Sequence, residues 1–329
     1  IAEAIARIEG SETPPAIWMA RGDPVAPGSP FGLVAQLVRH ACGVREGEPL
    51  GVRRTKLFAG IGATLAGPEG QRVAVHLGEL ARIPIEEVAR SLAPDDPKLR
   101  GDAMRDAFLT WLDAATRREP LMLVLDDLQW GDRPSRSFLV AAPRELASRP
   151  LSVVGAGRAE LGERFGELWS ERDAQPIRLA RLRPKAAEDL VRHGLGDADP
   201  GLVARLVERA DGNPFFLEEL VRAIADGEGE EGLPTTVLGM VESRLAVLPP
   251  PTRRVLRAAS VFGRRFWRGG VVELLGGASR AGDVDAHLDV LERRDLVERL
   301  EPSPFEGELE LGVRHALARE ASHATFTGE

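Results

Sequence analysis

Short apolar runs alternate with amphipathic helical patterns through the first half of the chain. The clearest run is 121–125, five apolar residues that are followed at once by two carboxylates, Asp126 and Asp127. A run without polar alternation is typical of a strand buried on both faces, as in parallel sheets. Strands separated by helices favour an α/β fold with a mostly parallel sheet. Further apolar or alternating segments predict three more strands, at 16–20, 151–155 and 177–182.

Helical spacing accounts for most of the remaining chain. The strongest amphipathic pattern lies at 102–118, and its apolar stripe is interpreted as core. That stripe consists of Met104, Phe108, Trp111, Leu112 and Ala115. Other helices are predicted at 53–65, 71–82, 134–148, 184–193, 200–210 and 214–226.

The last hundred residues have a different pattern. Three short helices are predicted at 252–262, 267–275 and 284–295, and alternating segments at 296–300 and 308–313 predict a hairpin. Three helices followed by a hairpin are typical of a winged helix. The acidic, Gly-rich stretch before them is a candidate linker.

Composition narrows the functional classes. A length of 329 residues allows two or three domains. The net charge of −8 argues against a broad surface for nucleic acid or anionic membrane. One cysteine, Cys42, excludes an intrachain disulfide framework, and the six histidines have no metal-ligand spacing. The lone cysteine also indicates a reducing cytoplasm. With no apolar run of membrane-spanning length and no signal peptide, we expect no membrane contact.

The acid pair, Asp126 and Asp127, is the strongest candidate for chemistry. The carboxyl ends of strands in open α/β sheets are where ligands bind. Two carboxylates there suit a Walker B element, in which one acid faces Mg²⁺ and the other polarises the attacking water. The structural alternative is a solvated acidic turn after a buried strand. Because adjacent strand residues point to opposite faces, these residues alone leave open which acid would face a metal.

The heptapeptide DDLQWGD, 126–132, resembles the Walker B segment of bacterial STAND-type ATPases, a branch of the AAA-like P-loop NTPases. Their usual form is D-[DE]-L-[HQ]-W-[AG]-D. The resemblance implies ATP and Mg²⁺ as cofactors, with Asp126 as the metal-linked acid and Asp127 as the catalytic, water-polarising acid. The stretch GDPVAPGSPFG, 22–32, is also similar to the family sequence, and it predicts that Ser29 and Pro30 open a helix.

Two later segments extend the resemblance. GAGR, 155–158, is similar to the family's sensor segment, which implies that Arg158 faces the γ-phosphate. DGNPFFLEE, 211–219, is similar to a lid motif and implies that Asn213 and Pro214 contact the nucleotide. A structural explanation is also complete: Asn213 caps a helix and Pro214 occupies its first position. The segment 312–326 resembles a family sequence too, with His323 at or near the position of an aromatic residue.

The resemblance implies four parts. These are an NTPase core at 1–183, a helical lid at 184–226, a linker at 227–233 and a winged-helix-like domain at 234–329. No GxxxxGK[ST] phosphate loop occurs in the 329 residues, so the first strand and Walker A are lacking. The chain starts inside a helical pattern, which predicts a piece of a longer protein beginning just after that loop. The alternative is a degenerate ATPase.

We therefore expect an ATP-binding and hydrolysing switch from a bacterial signalling protein, joined to effector and sensor domains outside this sequence and able to form homo-oligomers. The 329 residues alone are expected to bind nucleotide poorly. The alternatives are a non-catalytic scaffold and the ATPase part of a LuxR-type transcription regulator. The third helix of the winged-helix-like part is acidic, with Asp283, Asp285, Asp289, Glu292 and Asp295, so this part is expected not to bind DNA itself.

Overall fold

The chain folds into two compact units, Ile1–Pro176 and Ile177–Glu329, in a computed structural model. The structure describes residues 1–22, 30–45, 47–85, 96–158, 175–227, 229, 233, 236–263, 265–300, 303, 305 and 307–314. Most of the segment 22–32, the linker 227–233 and the segment 312–326, including Ser29 and His323, lie outside these residues. No helix among the described residues is long and apolar enough to cross a membrane.

A parallel sheet forms the centre of the first unit. Its strands are β1 (Ala16–Arg21), β2 (Leu121–Asp126) and β3 (Leu151–Gly155), in the order β1-β2-β3. Arg21 lies opposite Asp126 in the register, so β1 and β2 end at the same level. Three of the four predicted strands and their parallel arrangement are thereby confirmed.

The helix α1 (Ala2–Glu9) precedes β1 and has no buried residue among those described. The other helices of the first unit contribute buried side chains to the core around the sheet. They are α2 (Gly32–Ala41), α3 (Leu50–Gly62), α4 (Gly67–Leu80), α5 (Pro97–Arg118) and α6 (Arg133–Glu145). The stripe predicted on α5 is buried from Met104 to Ala115, and Trp111 of that stripe stacks on Trp18 of β1 at 4.4 Å between ring centroids. Long amphipathic helices are predicted well because one apolar face is enough to place them.

The predicted strand at 177–182 is wrong. The structure has no strand there, and Ile177 and Leu179 are 85% and 93% exposed. Leu182 N instead donates a hydrogen bond to Gly212 O at 2.8 Å. Alternation identifies an extended backbone, but a strand also needs a neighbouring strand to pair with.

The second unit combines a helical bundle with a small sheet. The bundle contains α7 (Pro184–Leu195), α8 (Pro200–Ala210) and α9 (Pro214–Ala225), which share one apolar core. After α10 (Val237–Ala246) come α11 (Pro250–Ser260), α12 (Arg268–Leu274) and α13 (Ala281–Arg293). The strands β4 (Arg265–Trp267), β5 (Val297–Leu300) and β6 (Glu310–Val313) form an antiparallel sheet in the order β4-β6-β5. The predicted hairpin of β5 and β6 is confirmed.

Candidate functional site

The acid pair lies where β2 ends, beside an arginine that ends β1. Arg21 Nε donates to Asp127 Oδ2 at 2.6 Å, and Arg21 Nη2 lies 2.5 Å from the same oxygen. Arg21 Nη2 is also 3.5 Å from Asp126 Oδ2. The side chains of Asp126 and Asp127 are 26% and 29% exposed, so solvent reaches both carboxylates. One guanidinium therefore contacts two neighbouring acids at an accessible edge of the sheet and balances one of their two negative charges.

Both carboxylates reach the same arginine because Asp127 leaves the strand conformation. Its φ is 49° and its ψ is 41°, in the left-handed region, which Asp tolerates better than most residues. This turn cancels the alternation that would send the two side chains to opposite faces. Asp127 N also donates to Asp126 Oδ1 at 2.9 Å, which fixes the first carboxylate. The expectation of opposite faces, taken from strand geometry, is wrong at this position.

The end of β1 is held closely against the acid pair. Gly22 N donates to Asp126 O at 2.9 Å, and a Cβ at Gly22 would lie 2.2 Å from Asp127 O. Only glycine fits this approach. Gln36 of α2 clamps the backbone of Arg21, accepting from Arg21 N at 3.0 Å and donating to Arg21 O at 2.8 Å. The sequence indicated neither the close approach of Gly22 to the acid pair nor the contact between Gln36 and Arg21, because the partners come from separate parts of the chain.

Gln129 connects the acid pair to the end of β3. Its Nε2 donates to Asp127 Oδ1 at 3.1 Å, and its Oε1 accepts from Arg158 N at 3.2 Å. The exposed Arg158 guanidinium lies 6.0 Å from the centroid of the Trp130 ring, within cation–π range. The structure thus brings Arg158 to the same edge of the sheet as Asp126 and Asp127.

Asp132, the last residue of the heptapeptide, has a structural role that the sequence analysis missed. Its carboxylate is buried and accepts four hydrogen bonds at the starts of α2 and α6. Their donors are Phe31 N at 2.9 Å, Leu33 N at 3.1 Å, Ser135 N at 2.8 Å and Ser135 Oγ at 2.8 Å. The spacing of Asp132 and Ser135 signals the cap of α6, whereas nothing local signals the bonds to α2.

Asn213 and Pro214 belong to the second unit. Asn213 Oδ1 accepts from Phe216 N at 3.2 Å, and Pro214 is the first residue of α9. The predicted capping roles are confirmed, and a contact with nucleotide stays a prediction. Asp126, Asp127 and Arg158 are the predicted site residues that the first unit brings together.

The donor set at the acid pair fits a magnesium ion better than a transition metal. No group of three or more His, Cys, Asp or Glu side chains with metal-binding geometry occurs in the described part of the chain. Mg²⁺ is usually bound in proteins through one or two carboxylates, with waters and phosphate oxygens as the remaining ligands. Asp126 and Asp127 provide that number of hard oxygen donors.

Residues 24–154 match the family model of the AAA ATPase domain. This part of the chain is therefore similar to AAA ATPase domains, in agreement with the α/β class predicted from the sequence. An uncharacterized protein of Rhizobium meliloti (strain 1021) is 29% identical over 193 residues, which cover 53% of this chain and 18% of that protein. The chain thus spans less than a fifth of this curated relative.

Two solved structures are also similar to the chain. One is a Signal Transduction ATPase with Numerous Domains from Pyrococcus horikoshii that has a tetratricopeptide repeat sensor. It is 14% identical with a TM-score of 0.46, and the match covers 99% of this chain and 42% of that one. The other is the Orc1 protein of Aeropyrum pernix in complex with DNA, which is 15% identical with a TM-score of 0.31, over 98% and 89% of the two chains.

Proposed function

We propose that the AAA-like ATPase domain works as a nucleotide-dependent switch in a larger signalling protein. The observation that carries this proposal is the accessible acid pair at the carboxyl edge of the parallel sheet, held by Arg21 and joined to Arg158 through Gln129. Ligands of open α/β sheets bind at this edge. The family match supports a nucleotide as that ligand, since AAA ATPase domains bind nucleotide, typically with Mg²⁺.

The acid pair would act as a Walker B element. Asp126, whose Oδ1 is held by Asp127 N, is proposed to bind Mg²⁺. Asp127, whose Oδ1 accepts from Gln129, is proposed to orient and polarise the attacking water. Arg158 would contact the γ-phosphate, because an exposed guanidinium binds phosphate oxygens through paired hydrogen bonds. In this scheme the Mg²⁺ ion supplies charge stabilisation to the phosphate oxygens.

The second unit would convert nucleotide state into a conformational signal. Residues 184–226 are proposed as a lid, with Asn213 and Pro214 at the nucleotide, and 234–329 as a winged-helix-like domain. The helices α11, α12 and α13 with the β4-β6-β5 sheet have the helix and strand order of a winged helix, which supports the second assignment. Effector and sensor domains outside the 329 residues, and assembly with further copies, belong to the same proposal.

A non-catalytic scaffold is the second candidate, favoured by one observation. The 329 residues contain no GxxxxGK[ST], although backbone N–H groups and a lysine from that loop supply most contacts to a triphosphate. The two candidates differ in how the protein responds once a phosphate loop is joined ahead of Ile1. The switch then binds Mg²⁺-ATP and hydrolyses it, as isothermal titration calorimetry and phosphate release would record. A protein that binds neither ATP nor ADP under those conditions is a scaffold.

A further inference from the structure

A cavity lies between α5 and α6, on the first unit. Its volume is about 790 Å³, and its lining, as far as the structure describes it, does not include Asp126 or Asp127. Four arginines line it, together with the apolar side chains of Val140 and Ala141 and one acid, Glu145. The four arginines are Arg105, Arg133, Arg136 and Arg144.

The charge of this cavity is opposite to that of the chain. Four arginines and one glutamate line the cavity, whereas the whole chain has a net charge of −8. Arg136 and Arg144 also make other contacts, so the cavity does not hold four free charges. Arginines converging from two helices still give it a positive potential, and concave walls focus such a field.

The arrangement of arginines on α6 works against the stability of that helix. Arg133, Arg136, Val140 and Arg144 recur at intervals of three and four residues, so they lie on one face. Arg133 and Arg136 are like charges three residues apart, which is unfavourable. Both also lie near the helix N-terminus, where the macrodipole disfavours cations. A bound anion would relieve both kinds of repulsion.

Arg105 supplies a second, independent observation. It is half-buried on α5, and its Nε is a buried donor without a hydrogen-bond partner among the described residues. A buried donor without an acceptor costs free energy, so native structures rarely leave one unsatisfied. Because this atom is buried, Arg105 must turn its guanidinium toward the cavity before a ligand oxygen can accept from Nε.

We propose that this cavity binds a small polyanion with two or more phosphate groups. Its volume lies within the range of small-molecule sites, roughly 300–1,000 Å³. Guanidinium groups match phosphate oxygens through paired, charge-assisted hydrogen bonds. Val140 and Ala141 would contact an apolar part of the ligand. This inference is independent of ATP hydrolysis, because it uses none of the acid-pair residues.

The test is calorimetric titration of the 329-residue chain with sodium tripolyphosphate in a buffer that contains EDTA. EDTA removes divalent cations, so metal-dependent binding at the acid pair does not contribute. We expect saturable binding at one site that weakens with added salt. The double variant Arg133→Gln/Arg136→Gln should raise the dissociation constant about tenfold or more, since each charge-assisted bond contributes strongly to affinity.

A matched control removes the same charge from elsewhere on the first unit. Arg7 and Arg72 are exposed and lie outside the cavity, so Arg7→Gln/Arg72→Gln should bind tripolyphosphate like the parent. A second variant, Arg105→Lys, keeps the charge but replaces the guanidinium, which forms paired hydrogen bonds with phosphate oxygens, and should weaken binding several-fold. Circular dichroism melting would establish that each variant is folded. Because Arg133 is exposed and Arg105 is half-buried, the double variant should disturb the fold less than Arg105→Lys does.

Three results would overturn the proposal. The first is the absence of saturable tripolyphosphate binding at millimolar concentrations. The second is equal binding by the parent and the Arg133→Gln/Arg136→Gln variant, or an equal loss in the control, which would indicate diffuse attraction. The third is tighter binding of polyglutamate than of tripolyphosphate in a parallel titration, because the cavity would then receive an acidic peptide.

Discussion

At the scale of single residues, two side chains at the end of the parallel sheet connect elements that are far apart in the sequence. Asp132 joins the starts of α2 and α6, and Arg21 joins the ends of β1 and β2. Both reach across more than a hundred residues of sequence. Asp132 holds together the elements that support the site, and Arg21 partly balances the negative charge of the acid pair.

Asp132→Ala should destabilise the first unit strongly. The substitution leaves three backbone N–H groups and one hydroxyl without their acceptor, and the carboxylate that served them is buried. We expect a loss of about 2–4 kcal/mol in the free energy of unfolding, more than for a single helix cap. Urea titration followed by tryptophan fluorescence measures it.

Asp199→Ala is the control for that experiment. Asp199 caps α8 through one bond, from Leu202 N at 3.0 Å, and it is exposed. Its loss should cost about 1 kcal/mol, which is typical of an ordinary cap. Equal losses for the two variants would contradict the role assigned to Asp132.

Arg21→Gln should tighten the binding of divalent cations to the chain without nucleotide. Arg21 offsets the charges that a cation must use, and unit charges 4 Å apart interact by about 1 kcal/mol in water and more near a protein surface. We expect about a five- to tenfold gain in Mn²⁺ affinity, measured by water proton relaxation. Arg117 pairs with Asp113 rather than with the acid pair, so Arg117→Gln should leave the Mn²⁺ affinity unchanged. Unchanged or weaker Mn²⁺ binding in Arg21→Gln would count against the acid pair as a metal site.

At the scale of elements, a buried ion pair connects the bundle of the second unit to its small sheet domain. The Glu219 side chain on α9 is 1% exposed and accepts from Arg244 Nη1 of α10 at 2.5 Å. Arg244 Nη2 also donates to the carbonyl oxygen of Arg294, just after α13. Arg222 of α9 adds an ion pair with Asp295 at 3.6 Å. A movement of α9 would therefore be transmitted to α13.

Glu219→Ala should destabilise the second unit, because it leaves Arg244 largely buried without its carboxylate. Breaking a buried pair from one side typically costs about 3–5 kcal/mol. The neighbouring Glu218 is half-exposed and pairs with Arg222, so Glu218→Ala should cost about 1 kcal/mol or less. Thermal unfolding of both variants tests this. Similar melting temperatures would show that the buried pair does not stabilise the unit.

The sequence predicted those elements whose signal is local. The apolar runs of β1, β2 and β3 and the stripe on α5 each identify one element without reference to the rest of the chain. The acid pair was predicted for the same reason, since it follows β2 directly. The segment 177–182 was predicted wrongly because alternation does not specify a partner strand. Arg21, Gln36 and the bonds from α2 to Asp132 were missed because tertiary packing alone brings them together.

At the scale of the whole molecule, acidic residues are extensively paired with arginines. On and just after α13, each of five acids has an ion pair with an arginine of the same unit. The pairs are Asp283–Arg280, Asp285–Arg268, Asp289–Arg299, Glu292–Arg299 and Asp295–Arg314. The hydrogen bond from Arg268 holds the pKa of Asp285 below its usual range. These arginines are therefore engaged with carboxylates and are poorly placed to bind phosphates.

The chain should therefore bind duplex DNA weakly. We expect a dissociation constant above about 1 µM at physiological salt, since affinity for the DNA backbone comes from cations that neutralise phosphates. Fluorescence anisotropy with a labelled duplex of mixed sequence measures it. Sub-micromolar binding would contradict the expectation that residues 234–329 do not bind DNA.

The most direct test of the account compares Asp126→Asn with Asp127→Asn in a protein that also has a phosphate loop ahead of Ile1. Nucleotide affinity and single-turnover hydrolysis are measured for each. Asp126→Asn should weaken Mg²⁺-ATP binding, because the carboxylate assigned to the metal loses its charge. Asp127→Asn should bind almost normally and hydrolyse about 10²–10⁴ times more slowly, the usual contribution of a group that activates water. If both variants bind and hydrolyse ATP like the parent, the acid pair is a solvated turn and the proposed ATPase site is wrong.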